Sequence, residues 1–202
     1  MAWPPTQGLG TPTSPRESAV LTLSESVHIN APAALVFDAL LDVSKYGEWN
    51  TWCPKVTIET PPGSKILATG TIFNFHVIMD AAKPTKETPT RLIVTDVSTP
   101  EKPSSYIPTT ALEHDPSYTT DLSSLYRISW KGEGGFATKG LRSERFHEVI
   151  INGEDSCEVR TWEVMSGPLA YTVRWVYKRT LNEKFALWCT DLKKRCDTAT
   201  RT

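Results

Sequence analysis

Apolar and polar residues change their period several times along the 202-residue chain, and each change marks an element. Leu21, Leu23, Val27 and Ile29 alternate with Thr22, Ser24, Ser26 and His28, the pattern of a strand that starts near Ala19 and buries one face. Pro32 then suits a first helical turn, and Leu35, Val36, Ala39 and Leu40 recur at helical spacing, which predicts a helix over about 31–41. Asp42 can cap a second short helix through Tyr46 and Trp49. Proline disfavours helix at the residue before it, so this helix ends by Trp52-Cys53-Pro54. Strands follow at about 55–60, 70–79, 90–98, 123–132, 142–151 and 157–166, separated by turn formers such as Pro61-Pro62-Gly63-Ser64 and Asn152-Gly153-Glu154-Asp155. Connections this short join antiparallel neighbours, because a parallel pair needs a crossover of about a dozen residues. The last change of period is helical. Ser166 or Gly167 can cap, Pro168 suits the first turn, and Leu169, Val173, Val176, Tyr177, Leu181, Phe185, Trp188 and Leu192 form one stripe over about 24 residues, to near Lys194. The predicted class is α+β: about seven antiparallel strands, two short helices after the first strand, and a long C-terminal helix.

Two stretches stand outside this pattern. Residues 1–17 contain four prolines and no periodicity, which predicts a flexible tail ahead of a domain over 18–196, with a second tail at 197–202. Residues 99–122 are rich in Pro, Ser and Thr and too long for a simple connection, so they read as a lid or a disordered insertion.

Composition removes several function classes. The chain has 22 basic and 23 acidic residues, a formal charge of −1, which gives no global attraction to nucleic acid. No run approaches the roughly 20 apolar residues of a membrane span, and the N-terminus lacks a secretory signal, so a cytoplasmic protein without membrane insertion is expected. Cys53, Cys157, Cys189 and Cys196 form no paired motif. The histidines have no ligand spacing, and there is no phosphate loop, nucleotide fingerprint or serine elbow. The expectation is therefore no metal and no cofactor. Cys53 is either a small buried hydrophobe or a nucleophile whose base the sequence does not reveal.

Four segments carry a family resemblance. They are His28-Ile29-Asn30-Ala31-Pro32 followed by Val36-Phe37 and Leu40; Tyr46-Gly47-Glu48-Trp49-Asn50 and then Pro54; Ile128 to Trp130 with Gly132, and Arg145-Phe146-His147-Glu148-Val149; and Glu163-Val164-Met165-Ser166-Gly167-Pro168-Leu169, leading to Asp191-Leu192-Lys193. Over about residues 19–195 the chain resembles the START-like (SRPBCC) superfamily, in particular its polyketide cyclase/dehydrase-like branch. It departs from that pattern where Gly47 replaces a proline, and where Arg145 and His147 stand at positions that relatives fill with His and Phe. The resemblance implies a helix-grip fold whose sheet and last helix enclose a hydrophobic small molecule. It also implies either a cofactor-free cyclase or dehydratase of a polyketide-like metabolite, or a non-catalytic carrier of a lipid, quinone or other apolar compound. Fold alone does not choose between them. Whether the chain is a monomer or a homodimer stays open.

Candidate chemistry follows from which strand faces turn inward. Alternation puts Arg145, His147 and Val149 on one face and Phe146, Glu148 and Ile150 on the other. If the first set faces in, as the resemblance implies, a guanidinium can hold an enolate while an imidazole moves a proton. If the second set faces in, both polar side chains are solvated. On strand 70–79, Phe73, Phe75, Val77 and Met79 make the better inward face and would turn His76 and Asn74 out. The reverse would bring an amide and a second proton shuttle into the pocket. Trp130 and Tyr126 share one face of their strand, as pocket wall and hydroxyl donor or as core. Trp49 and Trp52 line the mouth or anchor the second helix, and Tyr177 and Leu181 belong to the helical stripe over the pocket. Glu163 is a carboxylate base or the structural partner of Arg145, Arg160 or Arg91.

Overall fold

In the computed structural model, which describes residues 3–80, 82–83, 85–134 and 137–199, the alternating stretches become strands close to where their period places them. These are β1 (Leu21–Ile29), β2 (Lys55–Thr60), β3 (Ile72–Ile78), β4 (Glu87–Ser98), β5 (Leu125–Gly132), β6 (Arg142–Gly153) and β7 (Ser156–Ser166). The helices are α1 (Ala33–Leu41), α2 (Thr109–His114), α3 (Ala137–Gly140) and α4 (Pro168–Ala199). All neighbouring strands pair antiparallel in the order β1-β7-β6-β5-β4-β3-β2, so the first two strands lie at opposite edges. The chain between them, α1 and a 3-10 turn over Val43–Glu48, crosses the inner face of the sheet, and α4 packs along the same face. This is a helix-grip fold.

Local chemistry explains the joints. The Asp42 side chain accepts from the Ser44 N–H and starts the 3-10 turn, and Tyr46, fully buried, donates its hydroxyl to the Leu40 carbonyl at 2.7 Å. Gly167 links β7 to α4 at φ +94°, where a Cβ would stand 2.7 Å from the Gly140 carbonyl oxygen, so the position needs glycine in both conformation and space. The last helix is longer than its stripe implies. Lys193 donates to the His28 carbonyl at 2.7 Å and pairs with Asp197, which accepts from the Asn30 N–H, so the final turns are tied to the end of β1. The predicted tail at 197–202 is thus helical through Ala199, and residues 200–202 lie outside the described residues. At the other end Trp175 is 89 % exposed, so the early turns of α4 overhang the sheet.

The largest departure from the sequence reading is on the outer face. Residues 3–18 do not trail from the domain but lie against the sheet, with Leu9 and Ser14 buried, and residues 104–119 pack beside them. Leu9, Ile107, Tyr118, Phe146, Trp162 and Val164 form a second apolar core there. The Gly10 carbonyl accepts from the Trp162 indole and the Tyr118 hydroxyl, and Arg16 pairs with Asp115. The segment read as a lid therefore covers the side of the sheet opposite α4. Composition misled here because a proline-rich strap can stay extended yet be fixed by a few apolar anchors, and no period reveals those anchors.

Candidate functional site

The outer layer settles the orientation of β6. Both of its faces are buried: Glu144, Phe146 and Glu148 under the strap, and Arg145, His147 and Val149 under α4. Between β3–β7 and α4 a cavity of about 600 Å³ remains. Its apolar wall includes Trp52, Phe75, Leu92, Trp130, Met165 and Leu181, with Tyr177 and Val173 reaching down from α4. Polar groups are few in the interior, namely Arg145, Glu163, Ser143 and Cys53, while the exposed Thr88 and Thr90 of β4 join Asp80, Lys83 and Lys86 toward the β3–β4 end.

Arg145 is the centre of this arrangement. It is 4 % exposed, and its guanidinium carbon lies 4.1 Å from the Phe185 ring centre, 4.5 Å from Trp188 and 5.1 Å from Trp52. Its Nε donates to the Thr161 hydroxyl at 3.2 Å, while Nη2 has no hydrogen-bond partner among the described residues. Glu163 sits directly across the β6–β7 ladder, yet no carboxylate among the described residues comes within 4 Å of the guanidinium. Burial raises the Glu163 pKa above the ordinary carboxylate range, partly offset by the Arg145 charge and by Ser143. Burial also pushes the Cys53 thiol up, so the cysteine is a neutral wall rather than a nucleophile. Asn50 positions this corner: its side-chain oxygen accepts from the Trp52 and Cys53 N–H groups at 3.1 and 2.7 Å, and Thr51 is fastened to Asp191 on α4.

Of the residues singled out from sequence, Arg145, Trp130, Trp52, Glu163, Tyr177 and Leu181 line the cavity. The others do not. His147 faces inward but is sealed behind Trp130 and Trp188, 4.6 and 5.4 Å away ring to ring. Neither ring nitrogen has a hydrogen-bond partner among the described residues, and burial followed by the Arg145 charge holds its pKa well below 6.5. His76 and Asn74 turn outward, as their apolar neighbours Phe73, Phe75 and Val77 require. His76 meets Thr57 and Glu87, and Asn74 donates to Glu59. Tyr126 packs on Phe37, and Trp49 packs between Tyr46 and Trp188 in the core below the cavity. Sequence reasoning missed Ser143, Thr161 and the aromatic cage of Phe185 and Trp188. Ser143 and Thr161 share the inner-face alternation of Arg145 and Glu163, which was the signal available.

Comparison with known proteins agrees with this architecture. Residues 29–139 match the family model described as polyketide cyclase/dehydrase and lipid transport. The chain belongs to this family. A curated relative, oxopyrrolidines biosynthesis cluster protein O of Penicillium oxalicum, is 32 % identical over 184 residues, covering 83 % of this chain and 82 % of the relative. Among solved structures, a START superfamily protein from Mycobacterium smegmatis superposes with TM-score 0.57 at 13 % identity, covering 88 % of this chain and 98 % of that one. Norcoclaurine synthase from Thalictrum flavum does so with TM-score 0.54 at 12 % identity, covering 90 % and 96 %. At these identities the structural matches speak for the fold. The family model ends before β6 and β7 begin, so Arg145 and Glu163 lie outside the matched stretch.

Proposed function

We propose that the chain is a cofactor-free cyclase or dehydratase acting on an apolar intermediate of secondary metabolism. The observation that carries this reading is one carboxylic acid and one guanidinium opposite each other on adjacent strands in the largely apolar inner wall of the cavity. In a site with so few polar groups, each one has a large effect on charge that develops during reaction. Glu163 in its ionised form takes a proton from the carbon beside a substrate carbonyl, and Arg145 holds the resulting enolate oxygen. The enolate carbon attacks a second carbonyl of the same molecule, and Glu163 returns the proton to the new alkoxide, which balances as an isomerisation. Loss of one water repeats the transfer, now with Glu163 protonating the departing hydroxyl. The cavity walls supply proximity, which accounts for much of the barrier without a cofactor.

Membership of a family that includes polyketide cyclases supports this reading, as does a relative named for an oxopyrrolidine biosynthesis cluster. His147 and His76 have no part in it. The test is mass spectrometry of host metabolite extract incubated with substoichiometric protein, beside Glu163→Gln and Arg145→Met. Conversion of one compound to an isomer or its dehydrated product, beyond one equivalent of protein and lost in both variants, is expected. Stoichiometric capture without chemical change would replace this reading with a carrier. Because Glu163 must be ionised to start, kcat/KM should rise with pH through an inflection above the ordinary carboxylate range, and Glu163→Gln should have no such inflection.

A further inference from the structure

A cation buried among aromatic rings needs an anion, and the protein does not place one against Arg145. Its guanidinium carbon lies over three rings, its Nε uses a neutral hydroxyl, and its Nη2 is unpartnered, with no carboxylate among the described residues within 4 Å. Elsewhere in the same sheet the chain does match buried charge with charge. Arg127, equally buried, has Asp96 at 2.8 Å and Glu148 at 3.8 Å. Other ionisable groups around Arg145 do not fill the gap. Cys53, Cys189 and Tyr46 are buried thiols and a buried phenol whose pKa values are raised, His147 is neutral, and Lys184, 7 % exposed and near Cys53, adds positive charge. Among the described residues Glu163 is the carboxylic acid whose charge acts on Arg145, and burial favours its neutral form.

We infer that the molecule this cavity takes carries an acidic head group, a carboxylate or the enol of a 1,3-dicarbonyl, which sits as an anion against Arg145 while an apolar body fills the space beneath α4. The inference deepens the reading above and rests on the same site. It adds that the substrate arrives already acidic, not only that charge develops during reaction. Arg145 lines the cavity while rings pack against its guanidinium, and a delocalised oxyanion is the partner that a planar cation with hydrogen-bonding capacity to spare binds best. Carboxylates and enolised 1,3-dicarbonyls share that chemistry.

Equilibrium binding tests this without turnover. Trp52, Trp130 and Trp188 surround the site, so quenching of tryptophan fluorescence reports occupancy. The probes are 2-naphthoate and the neutral 2-naphthamide of the same shape, and dodecanoate with dodecan-1-ol, titrated into the full chain. Each acid should bind at least about tenfold more tightly than its neutral partner, the scale of one charge-assisted hydrogen bond. Arg145→Met should erase that preference while leaving the neutral probes unchanged. Equal affinity of acid and neutral partner in the unaltered protein would overturn the inference, as would a preference that survives in Arg145→Met, or acids that bind no tighter than about 1 mM. The outcomes separate from those for catalysis. Acid preference without conversion leaves a binder of organic acids, and conversion without acid preference leaves Arg145 acting on the transition state alone.

Discussion

Alternate residues of β6 meet two different treatments of buried charge. On the outer face Glu144 accepts from the Thr13 N–H, the Thr95 hydroxyl and the Tyr106 hydroxyl, and Glu148 accepts from Thr119 while facing Arg127. One residue away, on the inner face, the Arg145 side chain has a single neutral hydrogen-bond partner among the described residues and rings for company. The outer network matches charge with charge, with Asp96 and Glu148 both within 4 Å of Arg127, although two Arg127 nitrogens make no hydrogen bond among the described residues. The inner pair opens on a cavity and is left incomplete. Burial alone therefore does not mark a functional charge. What marks Arg145 is burial in the wall of a cavity with no carboxylate among the described residues within 4 Å, where Arg127 has two.

The hardest test of this contrast is to remove the two arginines in turn. Arg127→Met leaves Asp96 and Glu148 buried without their cation and should cost about 3–5 kcal/mol of unfolding free energy. Arg145→Met breaks no ion pair and sets an apolar chain of similar length among Trp52, Phe185 and Trp188, so stability should stay within about 1 kcal/mol while acid binding is lost. Urea denaturation with a binding titration on each variant decides it. Equal destabilisation by the two changes would mean that Arg145 is a structural cation like its neighbour.

A smaller effect is expected from the outer layer as a whole. Deleting residues 1–15 removes the buried Leu9, the Gly10 carbonyl that accepts from Trp162 and Tyr118, and one of three donors to Glu144. The loss should be about 2–3 kcal/mol. Affinity for cavity probes should be unchanged, because the strap lies across the sheet from the site. Thermal unfolding beside the fluorescence titration would show it. A silent deletion would return residues 1–15 to the status of a tail.

That strap also shows where the sequence stops being informative. Strands and α4 were legible because each buries a face with a regular period, and Arg145 with Trp130 followed from alternation and the family pattern. The strap has no period, since Leu9 and Ser14 are held by particular contacts rather than by a repeating face. Without it, β6 reads as a strand with one solvated face, and its two possible orientations cannot be separated. Asp96 is a second case. Continued alternation from Leu92 and Val94 would turn it inward, but a bulge between Val94 and Asp96 re-aims it outward to Arg127. His147 failed for another reason, because alternation tells which face a side chain takes but not how deep it lies beneath its neighbours.

His147 provides the smallest and most discriminating test. Its ring nitrogens are unpartnered among the described residues and its ring packs against Trp130 and Trp188, so His147→Phe keeps an aromatic ring in place and removes two buried polar atoms. Stability at pH 7.5 should rise by about 1 kcal/mol, and turnover and acid binding should stay within about twofold. The gain should grow on acidification. The folded-state pKa lies well below 6.5, so below that pH the unfolded chain takes up a proton that the folded chain refuses, and histidine costs the protein stability as pH falls. By pH 5.5 the advantage of phenylalanine should be larger by about a further kcal/mol. Urea unfolding of both proteins at the two pH values measures it. The same advantage at both would mean that His147 reaches solvent or a proton partner, and the inner face would then hold a second titrating group beside Arg145 and Glu163.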